Sequence, residues 1–303
     1  MDGMNDSDRI VLAPDGRNLT VRELGDRSGA PVFFMHGTPG SRTGPYPRLT
    51  LLHHLGVRMI AYDRPGYGGS DRLPLRSVSH AASDVKTIAD ALGIKHFSVM
   101  GRSGGGPHAL ACAAMMPDRV DRVAVLVGLA PRNAEGLDWY AGMTESNRRE
   151  YTIAESGVRP LAQVIETAAE EIRRDPAKLL RNLGPELPLQ DWRVVADNVI
   201  RAGLRDNYEA AVSRSGAGWV DDARSFTQDW GFDPADILVP TLLWHGAKDV
   251  FSPLSHTRWL ARTIPGAIEQ IVEDAAHFTA FDAQPSVLSW LAFNRQHPIA
   301  DAA

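Results

Sequence analysis

Short apolar runs punctuated by glycine organise this chain. Residues 9–23 alternate apolar and polar about Pro14-Asp15-Gly16-Arg17, which is turn chemistry between two short strands and predicts a β-hairpin. Compact apolar runs follow at 32–35, 57–62 and 97–100, and each ends in a glycine-bearing turn: His36-Gly37, Asp63-Arg64-Pro65-Gly66 and Gly101. Runs that are apolar on both faces predict buried parallel strands. Helical patterns separate them, notably 83–92 closed by Gly93 and 106–116 closed by Pro117. The resulting βαβαβ alternation predicts a doubly wound α/β sheet. Residues 120–127, 241–244 and 268–272 supply three more strands, and 285–294 a closing helix.

From about Pro131 to Asp233 the rhythm changes. Helical periodicity runs on without intervening strands, for example over 160–174 and 192–202, and the strand pattern resumes only at Ile237. The organisation expected is therefore one core domain, residues 1–130 and 234–303, interrupted by a helical cap at 131–233. No internal repeat or low-complexity tract is present.

Composition narrows the class. With 44% hydrophobic and 23% charged residues the chain is neither disordered nor a coiled coil. The 32 basic and 37 acidic residues are scattered and sum to −5, which is no electrostatic footprint for nucleic acid. Cys112 is the single cysteine, so neither an internal disulfide nor a cysteine-built metal site is available, and it reads as a small core residue. Residues 1–8 are polar and acidic, unlike a secretory signal. The longest apolar run, 123–130, falls far short of the ~20 residues a membrane span needs. The expectation is a cytoplasmic, soluble protein with a small-molecule substrate and no membrane partner; a homodimer is compatible with the sequence.

The strongest chemical signal is Gly101-Arg102-Ser103-Gly104-Gly105, a G-x-S-x-G that follows an apolar strand and opens a helix. A serine on so sharp a strand-to-helix turn needs small residues two positions either side, and Gly101 and Gly105 meet that need. Gly101, Gly104 and Gly106 also spell a phosphate cradle, but the acidic residue expected at the end of the next strand is missing, since Asp121 precedes that strand and Gly128 follows it. A serine nucleophile needs a base and the base a carboxylate. Asp249 and His277 each follow a late strand, in the chain order Ser, Asp, His. Asp274 competes for the acid role but shares the loop of His277, so Asp249 is preferred. Oxyanion donors are assigned to the N–H groups of Gly104, which follows the serine, and of Thr38 in His36-Gly37-Thr38-Pro39-Gly40, since Pro39 has none. His53 and His54 lack a partner carboxylate at metal-like spacing and no H-E-x-x-H occurs; neither a catalytic metal nor a cofactor is expected.

These residues, with Asp63-Arg64-Pro65-Gly66-Tyr67-Gly68-Gly69-Ser70, resemble the α/β-hydrolase superfamily over nearly the whole chain. The likeness is to its capped serine hydrolases, which include esterases, lactonases, proline iminopeptidase-like enzymes, carbon–carbon bond hydrolases and cofactor-free haloperoxidases. The resemblance implies a mostly parallel eight-stranded sheet with helices on both faces and a lid between the sixth and seventh strands. The residue before the nucleophile, often His in that family, is Arg102 here. Epoxide hydrolases and haloalkane dehalogenases carry Asp at the nucleophile position, and Ser103 argues against both. The segment 63–70 reads as a turn beside the site.

The function expected is hydrolysis of a small to medium, largely apolar ester or lactone through Ser103, His277 and Asp249. Proline iminopeptidase-like or carbon–carbon bond cleavage and non-hydrolytic ligand binding are the alternatives. An iminopeptidase would need carboxylates in the cap, where Glu145, Glu150, Glu155 and Glu166 are available. Trp139, Tyr140, Trp192, Tyr208, Trp219 and Trp230 are candidates for the pocket wall, with the core of the cap as the plainer role.

Overall fold

The computed structural model describes residues 8–292. The N-terminal hairpin is β1 (Asp8–Leu12) against β2 (Asn18–Gly25), antiparallel, with Val11 opposite Leu19. Its turn closes through Ala13 N–H to Arg17 O at 2.8 Å and Gly16 N–H to Ala13 O at 2.9 Å. Six parallel strands follow: β3 (Ala30–Met35), β4 (Val57–Tyr62), β5 (Phe97–Arg102), β6 (Val120–Leu126), β7 (Thr241–Gly246) and β8 (Ile268–Val272). They form one eight-stranded sheet in the order β1-β2-β4-β3-β5-β6-β7-β8, with β2 antiparallel to β4. The mostly parallel sheet of an α/β fold is thus present.

Alternation along the central strands fills a layer on each face. Phe33, Met35, Ile60, Val99, Val123 and Val125 pack on one side with α2 (His80–Ala91), α3 (Gly105–Met115) and α10 (Leu254–Thr263). Val32, Phe34, Met59, Met100, Ala124 and Leu126 pack on the other with α1 (Leu49–His54) and α11 (Ala280–Ala292). Burying both faces explains why β3 to β6 read as largely apolar runs and not as alternating ones.

Between β6 and β7 the chain passes through six α-helices: α4 (Glu145–Ser156), α5 (Val158–Arg174), α6 (Lys178–Leu183), α7 (Leu189–Val195), α8 (Asn198–Ala211) and α9 (Ala217–Phe226). The periodic stretch at 192–202 is two helices, not one. Asp197 accepts from Val199 N at 2.8 Å and Ile200 N at 3.0 Å, and this N-cap starts α8 where the pattern alone continued α7. The closing helix also differs. It begins at Ala280, five residues before Pro285, which therefore sits inside it without a backbone N–H to donate. Burial of Ala280, Phe281 and Ala283 outweighs that missing bond. Residues 293 and 294 of the predicted helix lie outside the described residues.

The strand order reverses at β3, which pairs with β4 on one side and β5 on the other. Such a switch point opens a crevice beyond the carboxyl ends of the strands. The turns after β3 and β5 carry Thr38 and Ser103, so the sheet topology alone brings them to one place.

That turn tolerates no bulk. A Cβ on Gly105 would lie 2.1 Å from Met35 O, and one on Gly101 would lie 2.4 Å from Gly105 O. We expect Gly105→Ala to lower the free energy of unfolding by about 1–3 kcal/mol, as overpacking does. Urea denaturation checks it, and an unchanged midpoint would contradict this close approach.

Candidate active site

Ser103 stands between β5 and α3 with φ of 54°, one of three non-glycine residues at positive φ among those described. This region costs a side-chain-bearing residue about 1–3 kcal/mol and is held only where the surroundings over-determine it. Here Ser103 N donates to Leu126 O at 2.9 Å and Gly106 N donates to Ser103 O at 2.8 Å, which ties the turn to β6 and to the first turn of α3.

His277 and Asp249 are brought into contact. Asp249 lies in the turn after β7, where its Oδ1 accepts from Phe251 N at 2.8 Å and Ser252 N at 3.1 Å. Its Oδ2 is 2.8 Å from His277 Nδ1, so Nδ1 carries a proton and donates it to the carboxylate. Burial pushes the Asp249 carboxyl up, but the charge and hydrogen bond of His277 outweigh it and hold the group below the usual carboxylate range. Asp274 is elsewhere occupied, accepting from Gln190 Nε2 at 2.6 Å.

The two assigned oxyanion donors also lie side by side. A Cβ on Gly104 would fall 2.3 Å from Thr38 Oγ1, and among the described residues neither Thr38 N–H nor Gly104 N–H has a protein acceptor. Ser103, His277, Thr38 and Gly104 line one cavity of about 230 Å³. Its wall is completed by apolar groups, Leu179, Leu183, Trp219, Phe251 and Phe278, and by polar ones, Arg102, Asn147, Glu150, Asn182 and Tyr208. Of the six aromatics between 131 and 233 singled out from the sequence, Tyr208 and Trp219 reach this wall. Trp139 packs edge-on against Tyr140, Tyr151 and His256, Trp230 lies against Phe232, and Trp192 is 48% exposed. Of the four glutamates singled out from the sequence, Glu150 faces the cavity and accepts from Trp219 Nε1 at 2.9 Å. Burial raises its carboxyl to about 7. Glu155 and Glu166 instead pair with Arg132 and Arg173.

Two carboxylates that carry no sequence motif hold these loops in place. Asp191 of α7 accepts the backbone N–H groups of His277 at 3.1 Å and Phe278 at 2.6 Å. Asp222 of α9 accepts from Thr38 Oγ1 at 2.6 Å, Tyr67 OH at 2.9 Å, and Arg64 and Arg76 at 2.5 Å each. Arg64 reaches on to Gly37 O at 3.1 Å, so one buried carboxylate grips the loop that bears Thr38. Burial opposes ionisation of Asp222, yet the two guanidinium charges hold it well below its ordinary range. His108, 3.2 Å away, is pushed down to about 4 by burial and by Arg64. The segment 63–70 serves as a turn beside the site. Asp63 accepts from Arg42 N at 2.7 Å and Gly69 N at 2.8 Å, while Arg64 and Tyr67 reach Asp222.

A family model for the α/β hydrolase fold matches residues 30–284, and the chain belongs to that family. It is 28% identical over 283 residues to 2-hydroxymuconate semialdehyde hydrolase of Pseudomonas putida, covering 90% of this chain and 89% of that protein. It is also 28% identical over 267 residues to pimeloyl-(acyl-carrier protein) methyl ester esterase of Chromobacterium violaceum, covering 86% and 91%. The solved structure of an esterase from Exiguobacterium antarcticum shares the fold, with a TM-score of 0.68 at 22% identity over 95% of this chain and 99% of that one.

Removing one partner from a buried ion cluster leaves the others uncompensated, at a cost of about 3–5 kcal/mol. Asp222→Asn should therefore lower the unfolding free energy by that order, measured by urea denaturation at neutral pH. A loss within error of zero would show that Arg64 and Arg76 find other partners.

Proposed function

We propose that this α/β hydrolase cleaves small to medium esters or lactones by acyl transfer to Ser103. The observation that carries the reading is the one cavity that Ser103 shares with an imidazole held by a carboxylate and with two backbone N–H groups without protein acceptors. His277 Nε2 takes the proton of Ser103 Oγ as the oxygen attacks the carbonyl carbon, and the Asp249 carboxylate stabilises the imidazolium formed. The carbonyl oxygen gathers charge between the N–H groups of Thr38 and Gly104. His277 returns the proton to the leaving alcohol, then activates a water that releases the acid and restores Ser103. The hydrocarbon body of the substrate packs on Leu179, Leu183, Phe251 and Phe278. Residues 131–233 act as a lid, and the esterase among the relatives supports the choice of an ester bond.

Glu150 favours a second reading, cleavage next to a free amino group, because it is the glutamate on the cavity wall. An aminoacyl p-nitroanilide therefore belongs in the same assay as the p-nitrophenyl esters. The expected result is ester turnover that exceeds anilide turnover and falls about 10⁴-fold in Ser103→Ala, His277→Ala and Asp249→Asn, all still folded by circular dichroism. Full activity in Ser103→Ala would overturn the mechanism.

A further inference from the structure

Among the described residues, Arg102 is the one on the cavity wall whose charge is left unanswered. It ends β5 directly before Ser103 and is 7% exposed. Among the described residues its guanidinium makes no hydrogen bond or ion pair, and Nη1 is buried without a partner. Its neighbours are rings, Phe281 at 4.3 Å and Phe278 at 5.7 Å from the guanidinium carbon. Ring faces recover part of the desolvation cost of a cation, but they accept none of its hydrogen bonds.

The acidic groups near enough to be felt are already engaged. The fields of Tyr208, Asp191 and Asp249 reach Arg102. Asp191 is held by the backbone of the His277 loop, and Asp249 by His277, Phe251 and Ser252. Tyr208 stays a neutral phenol, its hydroxyl raised to about 12 by burial. Glu150 also borders the cavity, bound to Trp219, and its raised carboxyl is a weak counter-ion near neutrality.

Position completes the argument. A Cβ built on Gly37 would lie 3.7 Å from Ser103 Cβ and 3.8 Å from Arg102 Nη2, so the serine and the guanidinium flank the same glycine. We propose that Arg102 forms a carboxylate-binding subsite in this cavity, and that the substrates are esters or lactones bearing a carboxylate near the bond that is cleaved. The planar guanidinium fork matches a carboxylate, and a charge-assisted pair made by so buried a guanidinium discriminates strongly against a neutral analogue. This inference rests on the hydrolase reading above for its reaction, but the subsite itself stands on the geometry of Arg102.

The test compares mono-p-nitrophenyl glutarate with p-nitrophenyl valerate as substrates of the wild-type chain, Arg102→Lys and Arg102→Met. The readout is the ratio of the two kcat/KM values within each protein, which cancels any loss of folded material. Binding of glutarate itself is measured by calorimetry in Ser103→Ala, with and without Arg102→Met. We expect the wild type to prefer the anionic ester by roughly tenfold or more, the order a hydrogen bond to a charged group supplies. That ratio should fall at least about tenfold in Arg102→Met and less in Arg102→Lys, and glutarate binding should be lost with Arg102. Equal loss on both esters would assign Arg102 to the transition state or to folding and overturn the subsite. Turnover of both esters without preference would overturn the subsite and leave the esterase reading standing. Turnover of neither ester, with glutarate bound through Arg102, would keep the subsite and remove the esterase reading; neither turnover nor binding would remove both.

Discussion

The turn from β5 into α3 is the constraint on which the rest depends. Three backbone segments meet there, with Gly105 against the carbonyls of Met35 and His36 and Gly101 against Gly105 itself. No Cβ fits at either glycine, and the chain between them reverses so sharply that Ser103 takes a backbone conformation side chains seldom adopt. One consequence is chemical: the serine stands clear of the sheet and the N–H of Gly104 is left free at the start of a helix. The other is architectural. Because β3 is the neighbour of β5 and the strand order reverses there, the loop bearing Thr38 is delivered to the same spot.

Around this turn, charge is used to fix loops. Asp191 and Asp222 come from helices between β6 and β7, yet they hold the loops of His277 and Thr38, which follow β8 and β3. The segment expected to be a cover is thus bonded to the groups we assign to the chemistry. Each carboxylate is buried and its lone pairs are taken by N–H, hydroxyl or guanidinium donors, the condition under which a buried charge is tolerated. Arg102 breaks that rule, which is why it stands out among the buried cations of the molecule.

What could be read from the sequence follows from range. The strands and α2, α3 and α5 were legible because periodicity and glycine or proline stops are local, and the meeting of Asp249 with His277 because both sit just beyond apolar strands. The helix break at Asp197 was missed, although an Asp before an apolar turn is an N-cap signal, because hydrophobic spacing runs straight across it. Asp191 and Asp222 were not legible at all: their partners lie 86 and 184 residues away in the chain. Only the structure shows that Asp222 stands in α9, a helix nearly all of whose residues are buried. Arg102 was noticed as a departure from its family's habit, but only the surrounding structure shows its charge to be unpaired.

The central claim is that Ser103 is an activated nucleophile. The most direct test is intact-mass analysis after treatment with a fluorophosphonate, with Ser103→Ala as the control, because it needs no substrate. The account predicts a single covalent adduct in the native chain and none in the variant. An unmodified native chain, or an adduct that persists in Ser103→Ala, would contradict it.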